Sequence, residues 1–172
     1  MIVITICLAG ITVFSGCNKD GTSEKPLTYD EGVLINGVRW ATRNVDKSGT
    51  FAEKPENAGN YYTWDEAKNV CPTNWRVPTS EEIQSLYDAG SEWKTINGVN
   101  GRIFGSGDNT IFLPAAGKYW NGEHSESNLS GSYWSSSPAD GWAMELYFTK
   151  DNASSYAGTR SDKQSVRCVK IQ

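Results

Sequence analysis

Two Thr-x-x-Glu boxes, Thr63 to Glu66 and Thr79 to Glu82, lie in the stretch TWDEAKNVCPTNWRVPTSEEIQSL and mark where two helices begin. In each box the threonine hydroxyl accepts from the backbone N–H three residues on, while the glutamate reaches back to the threonine's own N–H. Trp64, Ala67 and Cys71 then fall at i, i+3 and i+7, which predicts that Cys71 shares a buried stripe with the tryptophan until Pro72 stops the helix. In the second helix Ile83, Leu86 and Tyr87 make the stripe, and Gly90 supplies the stop. Both helices are short.

Strands account for the rest of the pattern. Asn36-Gly37 stands between two apolar runs in GVLINGVRWATRNV, a hairpin signal because both central turn residues need positive φ. From Trp93 onward, Gly- and Asn-rich turns separate aromatic segments. Met144, Leu146 and Phe148 alternate with Ala143, Glu145, Tyr147 and Thr149, which predicts one strand with a single core face. Val166, Cys168, Val169 and Ile171 put apolar residues on both faces of the last segment, as in a central strand. A hairpin, two helices and then several antiparallel strands make an α+β domain, and 172 residues suit one such domain.

The first sixteen residues, MIVITICLAGITVFSG, carry no charge and run into Cys17 and the polar stretch NKDGTSEKP. This reads as an export signal ending at a cysteine, and FSGC resembles a bacterial lipobox, whose cysteine is lipidated and becomes the new N-terminus. A hydrophobic first strand or a membrane anchor is the alternative, but the segment is shorter than the roughly 20 residues of a spanning helix. The expected organisation is a signal at 1–16, a tether at 17–30 whose composition cannot form a core, and a folded domain at 31–172. Asn18 after the cysteine, instead of Asp, resembles lipoproteins sorted to the outer membrane. Contact with the membrane is then through the lipid on Cys17 alone.

Loss of the signal removes Cys7 and lipidation uses Cys17, so Cys71 and Cys168 remain in a disulfide-permissive compartment. They are 97 residues apart, and closing such a loop stabilises a fold by roughly 4 to 5 kcal/mol in the chain-entropy model. The alternative is two free, buried thiols. A net charge of -4 with no basic run argues against nucleic acid as a partner.

Six landmarks occur in order: VRWATRNV (38–45), GNYYTWDEA (59–67), CPTNWRVPTSEE (71–82), LPAAG (113–117), GSYWSSS (131–137) and SVRCVK (165–170). With them the region from about residue 31 to 172 resembles the Fibrobacter succinogenes major paralogous domain of Bacteroidetes lipoproteins and, more broadly, the C-type lectin-like fold. The resemblance implies that the first helix is disulfide-bonded to the last strand. It also implies a binding face built from loops, here 118–131, 138–142 and 151–164.

Chemistry is sparsely provided for. His124, the only histidine, sits in NGEHSESN and reads as a solvated loop residue; Ser135 to Ser137 lack the Gly-x-Ser-x-Gly setting of a nucleophile and suit a strand end. For calcium, Glu53, Glu56 and Asn57, or Asp108 and Asn109, are the available oxygen donors, and neither group has EF-hand spacing. The sugar-holding triplets of calcium-dependent lectins are absent from the sequence. No catalytic residue, metal site or cofactor is therefore expected.

Seven tryptophans and eight tyrosines leave aromatics beyond a core made of Trp40, Trp64, Trp75 and Trp134. Tyr119, Trp120 and Trp142, flanked by Lys118, Asn121, Gly122 and Asp140, are the expected ligand contacts, with Asp140 itself included. The reading is a non-catalytic, lipid-tethered domain that binds a glycan or a surface protein. A structural or pilus-tip component of the envelope is the second reading, and an enzyme the third. Replacing Cys17 by serine is expected to abolish incorporation of labelled palmitate into the exported protein; continued labelling would overturn the lipid tether.

Overall fold

The computed structural model describes residues 26–172. The signal segment, Cys17 and the tether up to residue 25 lie outside the described residues. The remainder of the expected tether belongs to the folded unit: Asp30 is buried, accepting from the N–H groups of Gly32 and Thr42 and the Thr42 hydroxyl, and the Leu27 carbonyl accepts from Phe51 N–H at 2.7 Å.

Strands β1 (Val33–Ile35) and β2 (Val38–Trp40) form the expected hairpin, with Asn36 and Gly37 at φ 46° and 82°. Helix α1 (Trp64–Ala67) and helix α2 (Ser80–Asp88) both start with the complete capping box. α1 is only four residues long, so Cys71 is not on its stripe; it follows in a turn, half-buried against the second core. The residue before a proline is pushed out of helical φ/ψ, and Asn69 favours turn geometry. In α2, Ile83 and Leu86 are buried, but Tyr87 sits at the margin of the stripe and is exposed.

Four antiparallel groups of strands follow from the turn chemistry. The first sheet has the order β1-β2-β12-β3, where β3 is Trp75–Arg76 and β12 is Val169–Lys170; the last strand is central as expected, but it is only two residues long, with Val169 buried and Lys170 and Ile171 exposed. β4 (Ser91–Ile96), β5 (Val99–Ser106) and β6 (Asn109–Pro114) form a meander. β7 (Lys118–Trp120) and β8 (Glu123–Ser125) form a short hairpin, and β9 (Ser130–Ala139), β10 (Trp142–Thr149) and β11 (Ala153–Gly158) make a three-stranded sheet. The architecture is the α+β, lectin-like arrangement expected.

Two apolar clusters form the core. One gathers Trp40, Ile83, Leu86, Phe104, Leu113, Leu146, Phe148 and Val169; the other gathers Phe51, Trp64, Trp75, Trp134, Val166 and Cys168. The four tryptophans assigned to the interior are all buried. Cys71 and Cys168 are disulfide-bonded, with Cα atoms 6.1 Å apart, tying the segment after α1 to the residue before β12.

β10 departs from single-faced alternation. Leu146 and Phe148 enter the core, Met144 is only half-buried, and Ala143 and Glu145 are buried on the opposite face. The register with β9 slips between Ala143↔Pro138 and Glu145↔Trp134, so Ser135 to Ser137 stand opposite Met144 alone. The bulged serines turn to α2: Ser136 N–H donates to the Pro78 carbonyl at 2.7 Å, and Ser137 Oγ accepts from Ser80 N–H at 2.9 Å. These serines thus complete a helix start within a strand. The double Cys71→Ser, Cys168→Ser variant is expected to melt lower by on the order of 10 °C, as loss of about 4 kcal/mol in a domain of this size implies; an unchanged melting curve for protein whose thiols were blocked before unfolding would contradict this.

Candidate functional site

The hairpin of β7 and β8 turns at Asn121-Gly122, with φ of 51° and 83°. Successive side chains of a strand alternate between faces, so Lys118 and Trp120 line a groove on one side, and Tyr119 lines a second groove on the other. The first groove has a volume of about 280 Å³ and is shared by Lys118, Trp120, Glu126, Trp142, Glu145 and Asp162. Trp120 and Trp142 are 58% and 50% exposed, whereas Glu145 is only 3% exposed.

The floor is specifically shaped. Glu145, from the middle strand β10, directs its carboxylate over Gly158 of β11, where any Cβ would collide with Oε2. Gln164 Nε2 donates to that oxygen. Gln164 is itself fixed by backbone bonds to Tyr62 in both directions, each 2.9 Å. Asp162 is buried beside Lys118, whose Nζ lies 3.5 Å from Asp162 Oδ2. Burial pushes the Glu145 carboxyl above its ordinary value; Lys118 and the Gln164 bond oppose that, while Asp162 and Glu126 add to it.

On the far side of the hairpin, Tyr119 stacks on His124 with ring centroids 4.8 Å apart, and Tyr61 meets both edge-on. The Tyr61 hydroxyl donates to the Ala116 carbonyl at 2.7 Å, and His124 Nε2 lies 2.9 Å from the same oxygen. A carbonyl only accepts, so the proton is on Nε2. Burial raises the Tyr61 phenol to about 12, with Tyr119 a further contributor. His124 is exposed, as its sequence context suggested, but it is a strand residue that contacts aromatics and a carbonyl, not a loop residue.

Of the residues singled out in the sequence, the fold brings Trp120 and Trp142 into one groove. Tyr119 lies on the other face of β7, and Asp140 is exposed in the β9–β10 turn at φ 31°, outside the groove lining. Apart from Glu145, every residue of the groove comes from segments 118–131, 138–142 and 151–164. Glu145 escaped sequence reading because strand alternation assigned it to the solvent side. Among the oxygen donors considered for calcium, Glu56 accepts from Asn97 Nδ2 and Asn57 accepts from Lys54 N–H; no group of three or more His, Cys, Asp or Glu among the described residues is arranged to hold a metal. A larger cleft of about 460 Å³ lies near the first described residues, where Asp30 accepts from Thr42 and Arg43.

Fold and groove together define an α+β binding domain of lectin-like type. The family model of the Lcl C-terminal domain matches residues 34–170, and the chain belongs to that family. No curated protein and no solved structure matches it.

The raised Glu145 carboxyl has a consequence for stability. Its proton is held more tightly in the folded chain, so its contribution is present below the ordinary value of 4.5 and is lost as pH rises through the higher folded value. Glu145→Gln is therefore expected to stabilise the domain against urea at neutral pH, with the gain vanishing below about pH 4.5. Equal midpoints for the two proteins at neutral pH would refute this.

Proposed function

We propose that the domain is a non-catalytic, lectin-like module of the cell envelope that binds a glycan between Trp120 and Trp142. The observation that carries this reading is the groove itself: two half-exposed indoles, remote in sequence, wall a polar floor. Sugar rings pair apolar C–H faces with hydroxyls, and aromatic walls over hydrogen-bonding groups complement both. A groove of about 280 Å³ suits a residue or two of an oligosaccharide better than a flat protein surface.

The finer affiliation, with the major paralogous domains of Bacteroidetes lipoproteins, rests on the ordered landmarks named above. With the uncharged segment before Cys17 it supports an exported outer-membrane lipoprotein, anchored by lipid and displaying the groove to glycans outside the membrane.

The test is a glycan array probed with the full chain in detergent, with calcium and with chelator. Binding is expected to survive chelation and to fall at least about tenfold in a Trp120→Ala, Trp142→Ala double variant, equivalent to 1.4 kcal/mol or more, with the far-UV spectrum unchanged. A silent array, or binding indifferent to both substitutions, would overturn the glycan reading in favour of an envelope assembly role.

A further inference from the structure

The charges of the groove do not balance. Among the described residues that line it, Glu126, Glu145 and Asp162 stand against Lys118, which is engaged with Asp162. Glu126 is exposed and accepts from the Ser130 hydroxyl at 2.6 Å. Glu145 is the unusual member: more than nine-tenths buried, it has Gln164 on Oε2, and no donor among the described residues meets Oε1. The buried Gln164 Oε1 also lacks a partner.

A glutamine at 145 could accept the same bond from Gln164 without the cost of burying a charge. What only glutamate supplies is a negative charge beneath two indoles, whose faces also attract cations. Aromatic faces beside carboxylates suit an organic cation as the counter-charge of this floor. An anionic sugar would meet three carboxylates.

We propose that the glycan held between Trp120 and Trp142 carries a primary ammonium group, as a de-N-acetylated glucosamine oligosaccharide does, and that this group sits against Glu145. The inference rests on the glycan reading above and narrows it. The ammonium donates to the free Glu145 oxygen while its charge offsets those of Glu126 and Asp162. Binding favours ionised Glu145, so affinity falls on acidification as the carboxyl takes up a proton, with Lys118, Asp162 and Glu126 the other charged groups that face it.

The experiment is calorimetric titration of the full chain in detergent, at neutral pH and low salt, with a glucosamine tetramer and with its fully N-acetylated counterpart. The free-amine tetramer is expected to bind at least about tenfold more tightly, with a preference that weakens as salt rises. Glu145→Gln, which removes the charge and is expected to fold more stably, should abolish the preference for the free-amine tetramer. Glu126→Gln, at an exposed position, should reduce it. Equal binding of both tetramers overturns the amine inference and leaves the glycan reading standing, as does failure of both when the array returns a neutral sugar. Tighter binding of a lysine-rich peptide than of the amino sugar overturns the inference by assigning the ammonium to a protein. Failure of tetramers and array together removes both proposals.

Discussion

A buried guanidinium organises this domain. Arg167 donates from Nε to Asn44 Oδ1 at 2.9 Å and from its two terminal nitrogens to the carbonyls of Ala41 and Phe112 at 3.0 and 3.1 Å. Asn44 passes the network on to the Ala58 carbonyl and the Tyr133 hydroxyl, which donates to the Pro114 carbonyl. One side chain thereby connects the chain after β2, the end of β6, the middle of β9 and the approach to β12. Burial lowers its pKa to about 10, which still leaves it charged at neutral pH. The partners are neutral oxygens, two backbone carbonyls and the Asn44 side-chain amide, so the cation is satisfied only when all of these segments are in place. The disulfide at the next residue, Cys168, secures the same segment covalently.

That arrangement sets the groove. Just before Arg167 the chain runs past Tyr119, Tyr62 and Tyr133, with bridges at Lys163, Gln164 and Ser165. Asp162 and Gln164 are thereby held under the hairpin that carries Trp120. The groove is walled by exposed aromatics on short strands, but its floor belongs to the most constrained part of the molecule. Glu145 sits where these regimes meet, as a buried carboxylate tolerated because Gly158 leaves it space and Gln164 meets one oxygen. Such a group lowers stability at neutral pH, the kind of local cost that binding sites carry.

Local chemistry was the legible part. The Asn36-Gly37 turn, both capping boxes and the buried tryptophans depend on a few neighbouring residues, and each is found as the sequence implies. The turn logic of Asn36-Gly37 extends to Asn97-Gly98, Asn121-Gly122 and Asp140-Gly141, each a left-handed pair between strands. Reading Asp140 as a turn residue from that pairing would have separated it from Trp142. The length of α1 was less legible, because Pro72 acts on Cys71 before the helical pattern reaches it. The burial of Glu145 was not legible at all: Gln164 meets its carboxylate, and Gly158 on the neighbouring strand leaves it room, on the face that alternation assigns to solvent.

The sequence by itself determined the turns, the helix starts and the α+β order of elements, since each follows from short-range sterics and hydrogen bonding. Tertiary structure decided which aromatics share a groove and which carboxylate lies beneath them. Those outcomes depend on the slip between β9 and β10, on the return of residues 158–166 through the molecule, and on the Arg167 network that holds that return in place. Contacts between segments so far apart are settled by packing against a common core, and no local pattern encodes that.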